Sequence, residues 1–232
     1  MRKHFLAITA LAGMMAASVS AHAIPTLSFQ AYQDGVLQGS LSESSTMGSL
    51  LIDGSTANFS FLSGVAVGSP LVPAPDLAVQ TTTVSSMGNF TGPSTIRLEF
   101  TQTDVASASA GGMFASLANT LTANLLVNGQ FIESVTISNY ADPSNAAFGT
   151  STLLAQQTFT QPGANASPVI IGNVALPNSL FSETIVISAV FTAGGATLQT
   201  SSQIVAVPEP ASLALFGAAL LGLGMVRTRR QS

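Results

Sequence analysis

The chain has 232 residues, 47% of them hydrophobic and only 7% charged, with neither cysteine nor tryptophan. Six Lys+Arg against ten Asp+Glu leave a formal charge of −4. Nucleic acid, which is bound through clustered cations that displace counterions, is therefore excluded as a partner. Disulfides, a lipid-modified cysteine and thiolate chemistry are excluded by the absence of cysteine.

The first segment has three parts in a fixed order. Arg2 and Lys3 form a basic start, Phe5 to Val19 an apolar run, and Ala21-His22-Ala23 a small-x-small end. This pattern predicts a secretory signal peptide over residues 1–23, removed after Ala23, with removal after Ala21 as the second choice. Both histidines, His4 and His22, leave with it.

Residues 24–206 then form one body large enough for a substantial core. Arg97 is its only basic residue; set against nine acids it gives a formal charge of −8. Ser, Thr, Asn, Gln and Gly take the place of surface charge, and the apolar residues are too abundant and too patterned for a disordered stalk.

The pattern has the period of two that marks half-buried strands. Leu27 to Tyr32, the turn Gln33-Asp34-Gly35 and Val36 to Leu41 predict a first hairpin. Leu50 to Ile52 and Ala57 to Leu62 predict a second around Asp53-Gly54. Thr95 to Thr101 places Ile96, Leu98 and Phe100 on one face, with Arg97 and Glu99 on the other. Thr120 to Val127 and Gln130 to Ser138 flank Asn128-Gly129, a dipeptide that favours the type I′ hairpin turn. Glu183 to Thr192 and Ala196 to Ile204 flank Ala193-Gly194-Gly195 as a last hairpin. Long connections fall at Ser69 to Asp76, Tyr140 to Gly149 and Gln161 to Pro168, and Ala106 to Met113 fits helix and loop equally. Short strands separated by turn signals, without a fixed-period repeat, predict an all-β body, an antiparallel β-sandwich of jelly-roll or Ig-like kind.

Catalytic residues are hard to assemble from this body. Without His, Cys or Lys it has no base for a nucleophile, and no G-x-S-x-G elbow is present. Transition metals lose their nitrogen and sulfur ligands, and no calcium loop occurs; Asp34, Asp53 and Asp142 fit turns instead. Carboxylate pairs remain as hydrolase candidates, Glu99 with Asp104 or Glu133 with Asp142. The T-x-T units at 101–103, 120–122 and 158–160 are scattered, and their threonines fit strand preference. Tyr32 and Tyr140 are the only phenols for a sugar to stack on. The expectation is thus no catalytic site, no metal and no cofactor.

The last two dozen residues are different in kind. Val207-Pro208-Glu209-Pro210 resists helix, because proline fixes φ and lacks a donor. Ala211 to Val226 is an apolar run, followed by Arg227, Arg229 and Arg230. As a helix the run spans about 24 Å, short of the roughly 30 Å hydrocarbon layer, with the arginines placed to snorkel. This predicts a transmembrane helix over 211–226 with a cytoplasmic basic stop.

The segment 207–230 resembles the PEP-CTERM sorting signal of Gram-negative bacteria in all three parts and in their order. The same segment also ends some proteins catalogued as ice-binding. The resemblance implies an exosortase, a membrane-embedded cysteine peptidase, as processing partner, acting near Val207, Pro208, Glu209 and Pro210. It further implies export through the inner membrane, a single-pass intermediate, and delivery to the cell surface or to extracellular polysaccharide. The resulting expectation is a non-enzymatic structural or interaction protein. A carbohydrate-binding or adhesin-like module is the alternative, and a carboxylate-dependent glycoside hydrolase the third reading.

Overall fold

Apolar side chains at every second position drive this chain into strands that each bury one face. The computed structural model describes residues 23–88, 90–160 and 163–207. The predicted helix at 211–226 and cleavage residue Ala21 lie outside them. Among the described residues no helix is long and apolar enough to cross a membrane, and helical structure is confined to three short 3-10 turns.

One sheet of seven strands contains β1 (Thr26–Gln33), β2 (Val36–Leu37), β3 (Glu43–Ser45), β7 (Ser94–Ala106), β9 (Ile132–Asp142), β10 (Thr152–Phe159) and β13 (Leu180–Phe191). Its order is β10-β9-β13-β7-β1-β2, with β3 also on β1. The second sheet holds β4 (Ser49–Ser55), β5 (Phe59–Val67), β6 (Leu77–Ser86), β8 (Phe114–Val127), β11 (Gly163–Ala166), β12 (Ile170–Ala175) and β14 (Thr197–Ala206). Its order is β11-β8-β14-β6-β5-β4, with β12 also on β8. All pairings are antiparallel, and the sheets form a sandwich-like body.

The inner faces supply one continuous core. Phe29 and Phe100 stack within the first sheet at 4.9 Å, and Phe59 meets Phe191 across the two sheets at 5.1 Å. Each such side chain is worth about 1.5–3 kcal/mol of burial. A polar bridge also crosses the core. Asn139 Nδ2 donates to Asn119 Oδ1 at 3.0 Å, and Ser202 Oγ donates to Asn139 Oδ1 at 2.8 Å.

The first predicted hairpin forms around Asp34-Gly35. Both residues have positive φ, 52° and 80°, the combination that a type I′ turn requires. Its return strand is cut short after Leu37 by a 3-10 turn, Gly39–Leu41, which buries Leu41. The second hairpin pairs β4 with β5, but it does not turn at Asp53-Gly54. Those residues lie inside β4, and the chain reverses at 56–58, where Thr56 N donates to the Phe59 carbonyl. Gly54 marks a register shift, with φ 130°; a Cβ there would lie 2.7 Å from Leu41. The glycine is spent on a bulge that admits Leu41, not on a turn.

Two expected hairpins are arches instead. β8 and β9 belong to different sheets, although Asn128-Gly129 joins them. Asn128 takes the left-handed conformation, but a 3-10 turn, Gly129–Phe131, then carries the chain across the core. β13 and β14 are likewise in opposite sheets, and 192–196 bridges them. Gly194 there sits against Gly88, whose carbonyl oxygen would lie 1.9 Å from any added Cβ. Residues 107–110, open between helix and loop, form a 3-10 turn.

The antiparallel order gives the body two ends. β1 starts, and β7 and β14 finish, at one end, together with the connections 46–48, 68–76, 107–113, 143–151 and 176–179. This is the tail end. The turns at 34–35, 56–58, 128–131 and 192–196 lie at the far end.

Candidate functional site

The outer face of the first sheet carries a hollow of about 300 Å³ near the far end, lined by Tyr32, Gly35, Thr95, Arg97, Glu99 and Ser188. Strand register assembles it, because Arg97 sits opposite Tyr32 on one side and Ser188 on the other. The Arg97 guanidinium lies 6.0 Å from the Tyr32 ring centroid and pairs with Glu99. Gln30 Nε2 also donates to the Glu99 carboxylate, which is almost fully buried. Each carboxylate oxygen thus has one partner. Arg97 remains 47% exposed, with more N–H donors than Glu99 can accept. Asp34 holds the rim by accepting from Thr95 N at 2.7 Å and from the Ser94 hydroxyl.

The two carboxylate pairs considered for hydrolysis are not brought together. Glu133 is the second residue of β9 and Asp142 its last, which separates them by about 30 Å at strand rise. Glu99 and Asp104 are five positions apart along β7, roughly 17 Å. Glycosidase carboxylates stand about 5–9.5 Å apart. Asp104 instead accepts from Asn145 Nδ2, while its own N–H donates to Asn145 Oδ1, both at 2.8 Å. Burial acts to raise the Asp142 pKa, but bonds from the Ser144 hydroxyl and N–H outweigh it and hold the group below its usual range.

A third group of polar residues gathers inside the tail end. Gln102 of β7 and Glu183 of β13 are directly paired in register and completely buried. Gln102 Oε1 accepts from Ser69 N at 2.7 Å. Gln102 Nε2 and both Glu183 carboxyl oxygens have no hydrogen-bond partner among the described residues. Burial, and after it the negative charge of Asp76, pushes the Glu183 carboxyl well above the usual glutamate range. Asp76 is itself raised by burial, and the Ala206 backbone N–H pulls it part of the way back. The sequence did carry a signal for this cluster. Glu183 is in phase with Ile185, Ile187 and Ala189, and Gln102 with Ile96, Leu98 and Phe100, so both had to point inward.

The tail leaves the body beside this cluster. β14 runs between β8 and β6, and Val207 N still donates to Ser116 O at 2.9 Å. Of the predicted sorting residues, Val207 is half-buried at this exit. Pro208, Glu209, Pro210, Arg227, Arg229 and Arg230 lie outside the described residues. Ala23, the predicted cleavage residue, is exposed ahead of β1 at the same end. No group of three or more acidic side chains suited to a metal occurs among the described residues.

Residues 206–230 match the family model of the PEP-CTERM protein-sorting motif. The motif indicates an extracellular protein targeted to exosortase, exported and sorted to the cell surface. No curated protein matches the chain significantly.

Proposed function

We propose that residues 1–23 are a cleaved signal peptide and that residues 211–226 hold the chain in the inner membrane of a Gram-negative cell as a single-pass intermediate. Exosortase then releases the body near Val207 to Pro210, and the body serves a non-enzymatic structural or interaction role in the surface layer or exopolysaccharide. The observation that carries this reading is the motif at 206–230, joined without a linker to the last strand of a β-body. The separation of the candidate carboxylate pairs supports the non-enzymatic part. Strands that pass repeatedly from one sheet to the other favour the jelly-roll form of sandwich over the Ig-like form.

A carbohydrate-binding role is the second reading, favoured by the hollow at Tyr32, Arg97 and Ser188. A phenol face, guanidinium donors and hydroxyls suit a sugar ring without requiring charge on it.

The test is chain mass in the native host with and without its exosortase. The expected result is a chain lacking residues 1–23 in both strains and lacking the arginine tail only where the peptidase is present. A chain ending at Ser232 in both strains would refute processing. Purified body incubated with host polysaccharide separates the roles. Binding lost in Arg97→Ala favours the sugar-binding reading, and released oligosaccharides would make the protein a hydrolase.

A further inference from the structure

The tail end of the sandwich carries side chains that a soluble surface does not require. Phe114 is 76% exposed, Met47 75%, Met113 66%, Ile24 65% and Leu71 62%. They surround the exit of the chain. Met113 precedes and Phe114 opens β8 on one side of β14, and the 68–76 connection leads into β6 on the other. Met47 adjoins that connection, because Gly68 N donates to the Gly48 carbonyl at 2.9 Å. Ile24 precedes β1 at the same end.

Charge is arranged to match. Asp76, Asp104, Asp142 and Glu183 all belong to this end, and none of them is exposed. Exposed apolar residues also occur at the far end, including Val36 and Val127, but there they stand with exposed Asp34 and Glu133.

Chain geometry supplies the occupant. Only Pro208, Glu209 and Pro210 separate Val207 from the apolar run that starts at Ala211. Four residue steps reach at most about 14 Å, and the headgroup layer on one side of a bilayer is roughly 5–8 Å deep. The tether therefore keeps the end of β14 within about 10 Å of the headgroups, close enough for the rim of the body to touch them. We infer that the tail end of the body docks on the lipid bilayer, with Phe114, Met113, Met47, Leu71 and Ile24 set into the headgroup region around the tail. This rests on the proposed membrane insertion of residues 211–226. Docking holds the Pro208–Pro210 segment at the membrane surface, where a membrane-embedded peptidase acts. Once the tail is cut, the patch alone provides only shallow apolar contact, which permits release.

The chain has no tryptophan, so single tryptophans report on single positions. Full-length chain in phosphatidylethanolamine–phosphatidylglycerol vesicles with brominated acyl chains is the assay. Phe114→Trp, Met47→Trp and Leu71→Trp probe the patch, Val36→Trp the far end and Phe216→Trp the tail. Circular dichroism of each variant checks that folding is kept. The expected result is strong quenching of the Phe216→Trp probe, about twofold quenching with a blue shift for the three patch probes, and none for Val36→Trp. Quenching at 216 with patch probes no different from Val36→Trp would overturn docking and leave the tail reading intact. No quenching at 216 would overturn both. A blue shift at the patch that grows with protein concentration and is insensitive to bromine would assign the patch to a second copy of the chain, and also overturns the inference.

Discussion

The two ends of the sandwich are built from similar loops yet handle charge in opposite ways. At the far end Asp34 and Glu133 are exposed, and Arg97 stands half in solvent beside the hollow of about 300 Å³. At the tail end Asp142 and Glu183 are buried, and Asp76 and Asp104 are half-buried. Asp104 and Asp142 are held by Asn145 and Ser144, and Glu183 is buried without a partner among the described residues. The far end thus leaves Asp34, Glu133 and half of Arg97 open to solvent. The tail end draws its carboxyls back from the surface through burial and hydrogen bonds, leaving apolar side chains prominent around the chain exit.

Steric substitutions at the two ends should separate them most widely. Gly194→Ala at the far end drives a methyl into the backbone carbonyl of Gly88, which cannot rotate away. We expect a loss of about 3 kcal/mol in urea unfolding. Gly68→Ala at the tail end meets the Gln102 side-chain oxygen at the same 1.9 Å. That group can turn aside, at the expense of its bond from Ser69, for about 1 kcal/mol. Equal losses would show that the tail end is as rigidly built as the far end.

A smaller effect concerns pH. The folded chain keeps the Glu183 proton above the pH at which the unfolded chain releases it. The folded state therefore binds more protons, and stability falls as pH rises from the usual glutamate range toward the folded value. Glu183→Gln should raise the urea midpoint at neutral pH and leave it almost unchanged near pH 3.5, where the group is neutral in both states. Asp142 has the opposite sign, since its contribution is lost as pH falls through its lowered value. A Glu183→Gln chain with the same pH slope as the parent would show that the carboxyl is charged and compensated in the fold.

The smallest change should come from Arg97→Ala. The Arg97 guanidinium is half exposed while Glu99 is nearly buried, and Gln30 still holds the carboxylate, so stability should fall by about 1 kcal/mol. A larger loss in thermal unfolding would make the hollow a structural feature instead of a surface available to a ligand.

Much of this protein is legible in its residues. Alternation located most of the strands and chose their buried faces, since side chains in a strand point alternately to its two sides whatever lies beyond. Gln33-Asp34-Gly35 was enough to place the first hairpin turn, and the order of the last segment was enough for its sorting motif. Tertiary structure alone decided which strand pairs with which. Thr120–Val127 and Gln130–Ser138 show the same pattern whether they lie side by side in one sheet or face each other across the core. Asn128 adopts positive φ in either case, so local chemistry could not tell a hairpin from an arch. The same ambiguity hid the arch at Ala193–Gly195, and Gly54 served a bulge because Leu41, thirteen residues earlier, needed the space. Glu183, Gln102 and Asp76 come from three strands or loops far apart in sequence. They meet because strand register and sheet packing, which are collective properties of the whole core, bring them to one end.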